Sequence, residues 1–223
     1  MVEAGIPGGG PVRFLIIAAA AGGAALALGS CATMSAEQCL AGDWSGRGYA
    51  DGQSGLTMSR LEDHAKACAE HGVSPDTAAY AAGRRQGLMR YCTPARGFEA
   101  GRSGAGYEGV CPPELEPDFL PAYRDGQIVH EVQQALDDAR GRADGLSDRL
   151  EELDEKIVAK QAEARAEGLT DEERERVRAR IQEIRRERAD TEREWQRAQD
   201  AIDDAERDVR DVCWRFRSEY GGW

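Results

Sequence analysis

His64, Cys68 and His71 stand at i, i+4 and i+7. On a helix that spacing gathers all three on one face, where imidazole and thiolate could hold zinc or copper. No fourth ligand is spaced to join them, and Cys68 has a competing use in a disulfide, so the chain is expected to hold no metal and no other cofactor. His130 stands alone. For nucleophilic chemistry there is no Gly-x-Ser-x-Gly turn, and the many paired carboxylates fall in charge-rich stretches that read as solvated helix faces. No catalytic residue is assigned and an enzyme is not expected. What remains is a run of guanidiniums, Arg84, Arg85 and Arg90, with Tyr80 and Tyr91 among them and Arg96 and Arg102 further on. These side chains could grip an acidic sugar, a phosphate or a glycan carboxylate through charge-assisted hydrogen bonds. They could equally balance neighbouring acids.

Six cysteines, four of them in a small loop-rich region, point to an oxidising compartment. Cys39, Cys68, Cys92 and Cys111 allow three pairings, and the sequence does not choose among them. Pairing of neighbours along the chain, Cys39 with Cys68 and Cys92 with Cys111, is the arrangement expected here. Cys213 is left over, either as a free thiol or as a link to another chain.

The elements that hold these residues are marked by glycine. An aromatic residue is followed three places later by Gly at Tyr49–Gly52, Tyr80–Gly83, Phe98–Gly101 and Tyr123–Gly126. Gly48 and Gly52, Gly83 and Gly87, and Gly97 and Gly101 are spaced i, i+4, which on a helix puts two bare positions on one face. A helical Gly costs about 1 kcal/mol against Ala, and close approach of two helix backbones would offset it. Loops with turn glycines are the other reading. A phosphate cradle is not, because no Gly-Lys-Ser/Thr follows and no strand precedes. Asp43 reads as a helix cap before Trp44, Met58 to Glu70 as a helix ended at Gly72, and Ser74-Pro75-Asp76 as the start of a helix, with Pro in its first turn, that Thr93-Pro94 stops. Gly97 to Cys111 has no clear reading, Pro112, Pro113 and Pro117 form a connector, and a last segment begins near Asp118.

Before all this, Phe14 to Leu28 is an apolar run too short for a comfortable membrane span. It ends in Leu28-Gly29-Ser30-Cys31, which resembles the lipobox of bacterial lipoproteins. In those proteins the signal is cut before the Cys, and the Cys carries the lipid. The resemblance implies that Cys31 is the lipidation site and that Ala32 directs the protein to the outer membrane, facing the periplasm. An ordinary secretory signal with a chance Cys is the alternative. Residues 1–30 are thus read as signal peptide and 31–36 as a lipidated tether, followed by a head over 37–127 and an arm over 128–220.

Within the head, Cys39 with Asp43-Trp44, the stretch Tyr80-Ala-Ala-Gly-Arg-Arg-Gln-Gly-Leu, Tyr91-Cys92-Thr93-Pro94 and Tyr107-Glu-Gly-Val-Cys111-Pro112 resemble the bacterial envelope family catalogued as domain of unknown function 2799, over about residues 37–128. The resemblance implies an exported, helical, lipoprotein-like domain. It carries no established activity and supplies no catalytic residues.

From Val129 onward, apolar or small residues recur in alternating steps of three and four: Val129, Val132, Leu136, Ala139, Ala143, Leu146, Leu150, Leu153, Ile157, then Val177, Ile181, Ile184 and on through Trp195 to Phe216. That is a coiled-coil pattern in two runs. Gly168 separates them, and Thr170 with Glu173 forms a capping box that restarts the helix. An antiparallel hairpin is predicted, a single helix pairing between chains being the rival. With the turn centred on Leu169, Ile157 should face Ile181 and Leu136 should face Ile202. Trp195 should sit opposite Ala143, between Gly141 and Gly145, whose small size would make room for the indole. Val212 and Phe216 should return level with Tyr123 and Phe119.

The fold class expected is therefore all-α, a small cystine-bearing head of short Gly-containing helices plus a long antiparallel coiled-coil hairpin. A formal net charge of −12, with 9 basic and 13 acidic residues over 32–127 and 19 against 27 over 128–223, argues against nucleic acid as a partner. The function expected is that of a lipid-anchored envelope protein with a non-enzymatic structural or interaction role, its partners the membrane through the anchor and another envelope protein through the hairpin. The alternative is a module that binds peptidoglycan or polysaccharide through the head.

Overall fold

A Cβ placed on Gly48 would lie 2.1 Å from the carbonyl oxygen of Tyr80, and one on Gly87 would lie 2.1 Å from that of Tyr49. Those contacts define the head. The computed structural model describes residues 33–222, and its helices are α1 (Ala36–Ala41), α2 (Trp44–Gln53), α3 (Arg60–Ala69), α4 (Thr77–Tyr91), α5 (Pro94–Arg102), α6 (Glu116–Ala164) and α7 (Asp171–Tyr220). No strand occurs among the described residues, so the all-α expectation is met.

The i, i+4 glycines are the seams between helices. On α2, Gly48 abuts the Tyr80 carbonyl and Arg84 amide, and Gly52 abuts the Arg84 carbonyl and Leu88 amide. Both sides advance by four residues, so α2 and α4 run in the same direction, backbone against backbone. Gly83 and Gly87 answer from α4 against Ser45, Tyr49 and Gln53. The same arrangement joins α5 to the start of α6: Gly97 meets Phe119, Gly101 meets Tyr123 and Gln127, and Gly126 meets Phe98 and Arg102. Carbonyl oxygens this close to a bare Cα make Cα–H···O contacts, and a side chain on either helix would remove them.

The two seams are two versions of one unit. Residues 45–55, SGRGYADGQSG, align without a gap on 94–104, PARGFEAGRSG. On the partner helices Tyr80, Gly87 and Tyr91 take the places that Phe119, Gly126 and His130 take in the second unit. Tyr80 and Phe119 are both fully buried. Gly55 and Gly104, at φ +72° and +74°, lie under the Tyr91 and His130 rings respectively, a left-handed backbone that Gly adopts freely.

Each unit also carries one disulfide in its core. Cys39 bonds Cys68 and Cys92 bonds Cys111, the neighbour pairing. The first lies with Met34, Trp44, Leu61 and Tyr80, and the second with Leu88, Tyr91 and Phe119. Cys213 is free and partly exposed.

Several boundaries differ from the expectation. Ser35 caps α1 through a full capping box with Gln38, so helix begins inside the stretch read as tether. Asp76, not Ser74, caps α4, which leaves Pro75 outside the helix. Thr93-Pro94 does more than stop a helix: Thr93 accepts from the Arg96 amide and Pro94 opens α5, the helix that had no clear reading.

α6 passes from the head into the arm without a break. Its 49 residues and the 50 of α7 give helices of about 75 Å at 1.5 Å per residue. The tip turn contains Gly168 at φ +84°, and the Thr170–Glu173 capping box is present. Leu136, Ala139, Ala143 and Leu153 of α6 and Val177, Ile181, Ile184 and Thr191 of α7 are buried along the seam. Arg149 pairs with Glu187 and Arg188 with Asp154, both within about a turn of the Leu169-centred register, but Arg140 meets Glu206, two turns beyond the level Ala198. At the base Phe216 packs with Phe98, Ala122 and Val129 rather than level with Phe119, although Ala122 is its level residue in the Leu169-centred register. The slip shows instead in Tyr220, which bonds Asp125 about two turns from the level position. One further expectation fails. Gly141 and Gly145 are exposed, with nothing within 4 Å of an added Cβ, so they do not make room for Trp195.

Candidate functional site

The most concentrated polar chemistry in the described residues is buried in the first unit. α2 carries Asp51 one residue before its seam glycine, α3 carries His64, and α4 carries Tyr80. His64 Nε2 lies 2.7 Å from Asp51 Oδ2, and the Tyr80 hydroxyl donates to the same oxygen at 2.8 Å. On its other side His64 Nδ1 lies 2.8 Å from Thr33 Oγ1. Only 1% of His64 and 6% of Asp51 is exposed. Because Asp51 accepts from both neighbours, Nε2 is the protonated nitrogen, and in the neutral ring Nδ1 accepts the Thr33 hydroxyl proton. Burial and the hydrogen bond to Asp51 both push the Tyr80 hydroxyl well above its ordinary pKa, so it remains a donor across the physiological range.

Hydroxyl, imidazole and carboxylate in series form the order of a nucleophile relay. The surroundings do not suit that use. The ring is sealed from solvent, the carboxylate is shared with a second donor, and the groove nearest in sequence, of about 310 Å³, is lined by Met34, Asp43 and Arg47 rather than by Thr33 or His64. What the chain of bonds does is join four separate segments of backbone.

The second unit answers with a different solution. Ala100 stands where Asp51 stands, and Phe119 where Tyr80 stands, so its seam is apolar. At its outer edge Asp125 accepts from the Tyr220 hydroxyl at 2.8 Å. The Tyr220 ring stacks on Phe98, centroids 4.1 Å apart and 7° from parallel. Burial, with Asp125 beside it, raises the Tyr220 pKa. This contact binds the end of α7 to α5 and α6.

The residues singled out from sequence are placed as follows. His64, Cys68 and His71 do not converge: His64 serves Asp51 and Thr33, Cys68 is in a disulfide, and His71 lies beyond the end of α3 and is exposed. Among the described residues no cluster of three or more metal-ligating side chains forms. Of the five basic and aromatic candidates, Tyr80 and Tyr91 belong to the core, where burial raises the Tyr91 pKa as well. The Arg84 guanidinium is fixed on the Leu56 carbonyl at 2.7 and 2.9 Å. Arg85 and Arg90 are exposed. The five therefore do not face one surface, because the helix that carries them turns its tyrosines inward to cover the glycine seam. Arg102 is paired with Glu99, and His130 faces the Arg102 carbonyl at 3.3 Å. Cys31 and the rest of the lipobox lie outside the described residues.

Sequence reading missed Asp51, Thr33 and the Tyr220–Asp125 bond. The alignment of 45–55 with 94–104 carried the only available signal for Asp51, as the polar residue that the second copy replaces with Ala. Among the described residues, no helix is long and apolar enough to cross a membrane.

Residues 43–128 match the family described as Protein of unknown function (DUF2799). The matched segment spans the glycine-seamed helices α2 to α5 and the head portion of α6, and it leaves out Cys39 and the arm. No curated protein and no solved structure matches the chain.

Proposed function

We propose that this chain, whose head belongs to that family of unknown function, is a lipid-anchored envelope protein, held by Cys31 in the outer membrane and facing the periplasm, that presents its helical arm to another protein without catalysing a reaction. The observation that carries this reading is the arm itself. Two helices of about 75 Å bury only one seam between them, and their outer faces are continuous, charged and unpaired with the head. Val158, 65% exposed amid Glu151, Asp154 and Glu155, is the largest apolar residue exposed on the outer face of α6. The oxidising compartment that the two disulfides need agrees with an exported chain. The glycan-binding alternative has less to stand on, since the tyrosines it relied on are in the core.

Two measurements test the reading. A photo-reactive phenylalanine at Val158 should capture a specific partner in intact cells, and one at Met89, 63% exposed on the head, should not. Capture from Met89 alone would place the contact on the head instead. The Cys31→Ser variant should move from the detergent phase to the aqueous phase or remain unprocessed, and unchanged membrane attachment would end the lipid-anchor reading.

A further inference from the structure

We propose that the Asp51–His64–Thr33 chain is a clasp that leaves the anchor with no tether, so that the head is held directly at the lipid surface. This rests on the reading of Cys31 as the acylated residue. The chain is gripped at three successive residues. Thr33 is hydrogen-bonded to buried His64. Met34 is 4% exposed and sits against the Cys39–Cys68 bridge, its sulfur 3.9 Å from Cys68 Sγ. Ser35 caps α1 with both its side chain and its amide engaged by Gln38. Cys31 precedes Thr33 by two residues, and two residues reach at most about 7 Å.

The second unit is an internal control. The same glycine seam is built there with Ala100 and Phe119 in place of Asp51 and Tyr80, so the seam itself does not require a buried carboxylate and imidazole. The chain that enters the second unit is α4 itself, held by the Cys92–Cys111 bridge, whereas the chain that enters the first is residues 33–35, held by the buried pair. Burying Asp and His is a poor way to gain stability alone, but it specifies one geometry, and among the described residues Thr33 is the partner it reaches outward to. From the clasp, rigid elements run through to the arm: Tyr80 lies on α4, α4 packs by Tyr91 on Phe119 of α6, and α6 is itself the arm.

Hydrogen exchange of the peptide covering residues 33–38, measured on the full acylated chain in phosphatidylglycerol–phosphatidylethanolamine vesicles, tests the clasp, and detergent-phase partition of the same samples tests the anchor. In the native protein that peptide should exchange slowly. Thr33→Val keeps the shape and removes the hydroxyl, and should speed its exchange about tenfold or more while leaving α4 protected. Thr33→Ser should restore protection. His64→Gln should loosen the same peptide, and if that variant fails to fold, the Val and Ser pair still decides. Equal exchange in native and Thr33→Val proteins overturns the clasp. Protein that responds in exchange but partitions into the aqueous phase overturns the anchor, and with it the seating on lipid.

Discussion

Replacing Gly87 with alanine is expected to destabilise the head by about 3 kcal/mol, at the upper end of overpacking costs, because the obstacle is backbone. The new methyl group would lie 2.1 Å from the Tyr49 carbonyl oxygen and 2.6 Å from the Gln53 amide. Neither atom can rotate away as a side chain can. α2 and α4 would have to separate by about an ångström to restore ordinary contact, and the whole seam of Gly48, Gly52, Gly83 and Gly87 would open with them. A loss of that size is a large part of the 5 to 15 kcal/mol typical of a folded domain. Gly141→Ala supplies the opposite case in the same protein. Its Cβ meets nothing within 4 Å, so the helix propensity of alanine should stabilise the arm by about 0.5–1 kcal/mol. Urea unfolding of the two variants beside the native chain gives both numbers. A Gly87→Ala protein within 0.5 kcal/mol of native, about the scatter of a neutral surface change, would show that the helices are not held at backbone contact.

Asp51→Ala should cost about 3–5 kcal/mol, because one substitution leaves two buried donors, His64 Nε2 and the Tyr80 hydroxyl, without an acceptor. The second unit indicates how part of that loss is recovered. There the corresponding positions are Ala100 and Phe119, so Asp51→Ala combined with Tyr80→Phe removes one orphaned donor and should regain about 1–2 kcal/mol. The double-mutant cycle is read by chemical denaturation with both disulfides intact. Simple additivity of the two changes would mean that Tyr80 does not depend on Asp51, contrary to the 2.8 Å bond. Asp51→Asn, which still accepts from Tyr80, should fall between the two.

What could be read from the sequence follows a physical division. Features set by neighbours along the chain were legible. The Asp43 and Thr170 caps need only a side chain three residues before an amide, and the heptads of the arm need only their own spacing. The glycine pairs announced close helix approach because helical Gly is costly unless something occupies the space. What stayed hidden depends on partners far apart. His64 was grouped with Cys68 and His71 by helical spacing, yet its bonds go to Asp51 and Thr33, 13 and 31 residues away. Tyr80 and Tyr91 looked available beside Arg84, Arg85 and Arg90 because nothing local says which face of α4 meets the seam. α5 was lost for another reason: three glycines and a proline in a short stretch suggest loop, whereas here two glycines form the seam and the proline sits at the first helical position, where its missing amide has no bond to make. Gly141 and Gly145 show the opposite error, an explanation drawn from spacing that the exposed positions do not need.

The return of α7 to the head has a consequence for the order of folding. Phe98 and Val129, in the middle of the chain, are covered by Phe216 with Tyr220 beside it, residues made well after them. Until they arrive, the second unit has an uncovered apolar flank, although its helices and its disulfide lie wholly upstream. The first unit depends on nothing so distant: its Leu88 and Tyr91 are covered by Cys111 and Phe119, all upstream of α7. The two units therefore close in sequence, the first with the start of α6 and the second only with the last turns of α7. A molecule cut in α7 before Phe216 would leave Phe98 and Val129 uncovered, an apolar surface that favours aggregation.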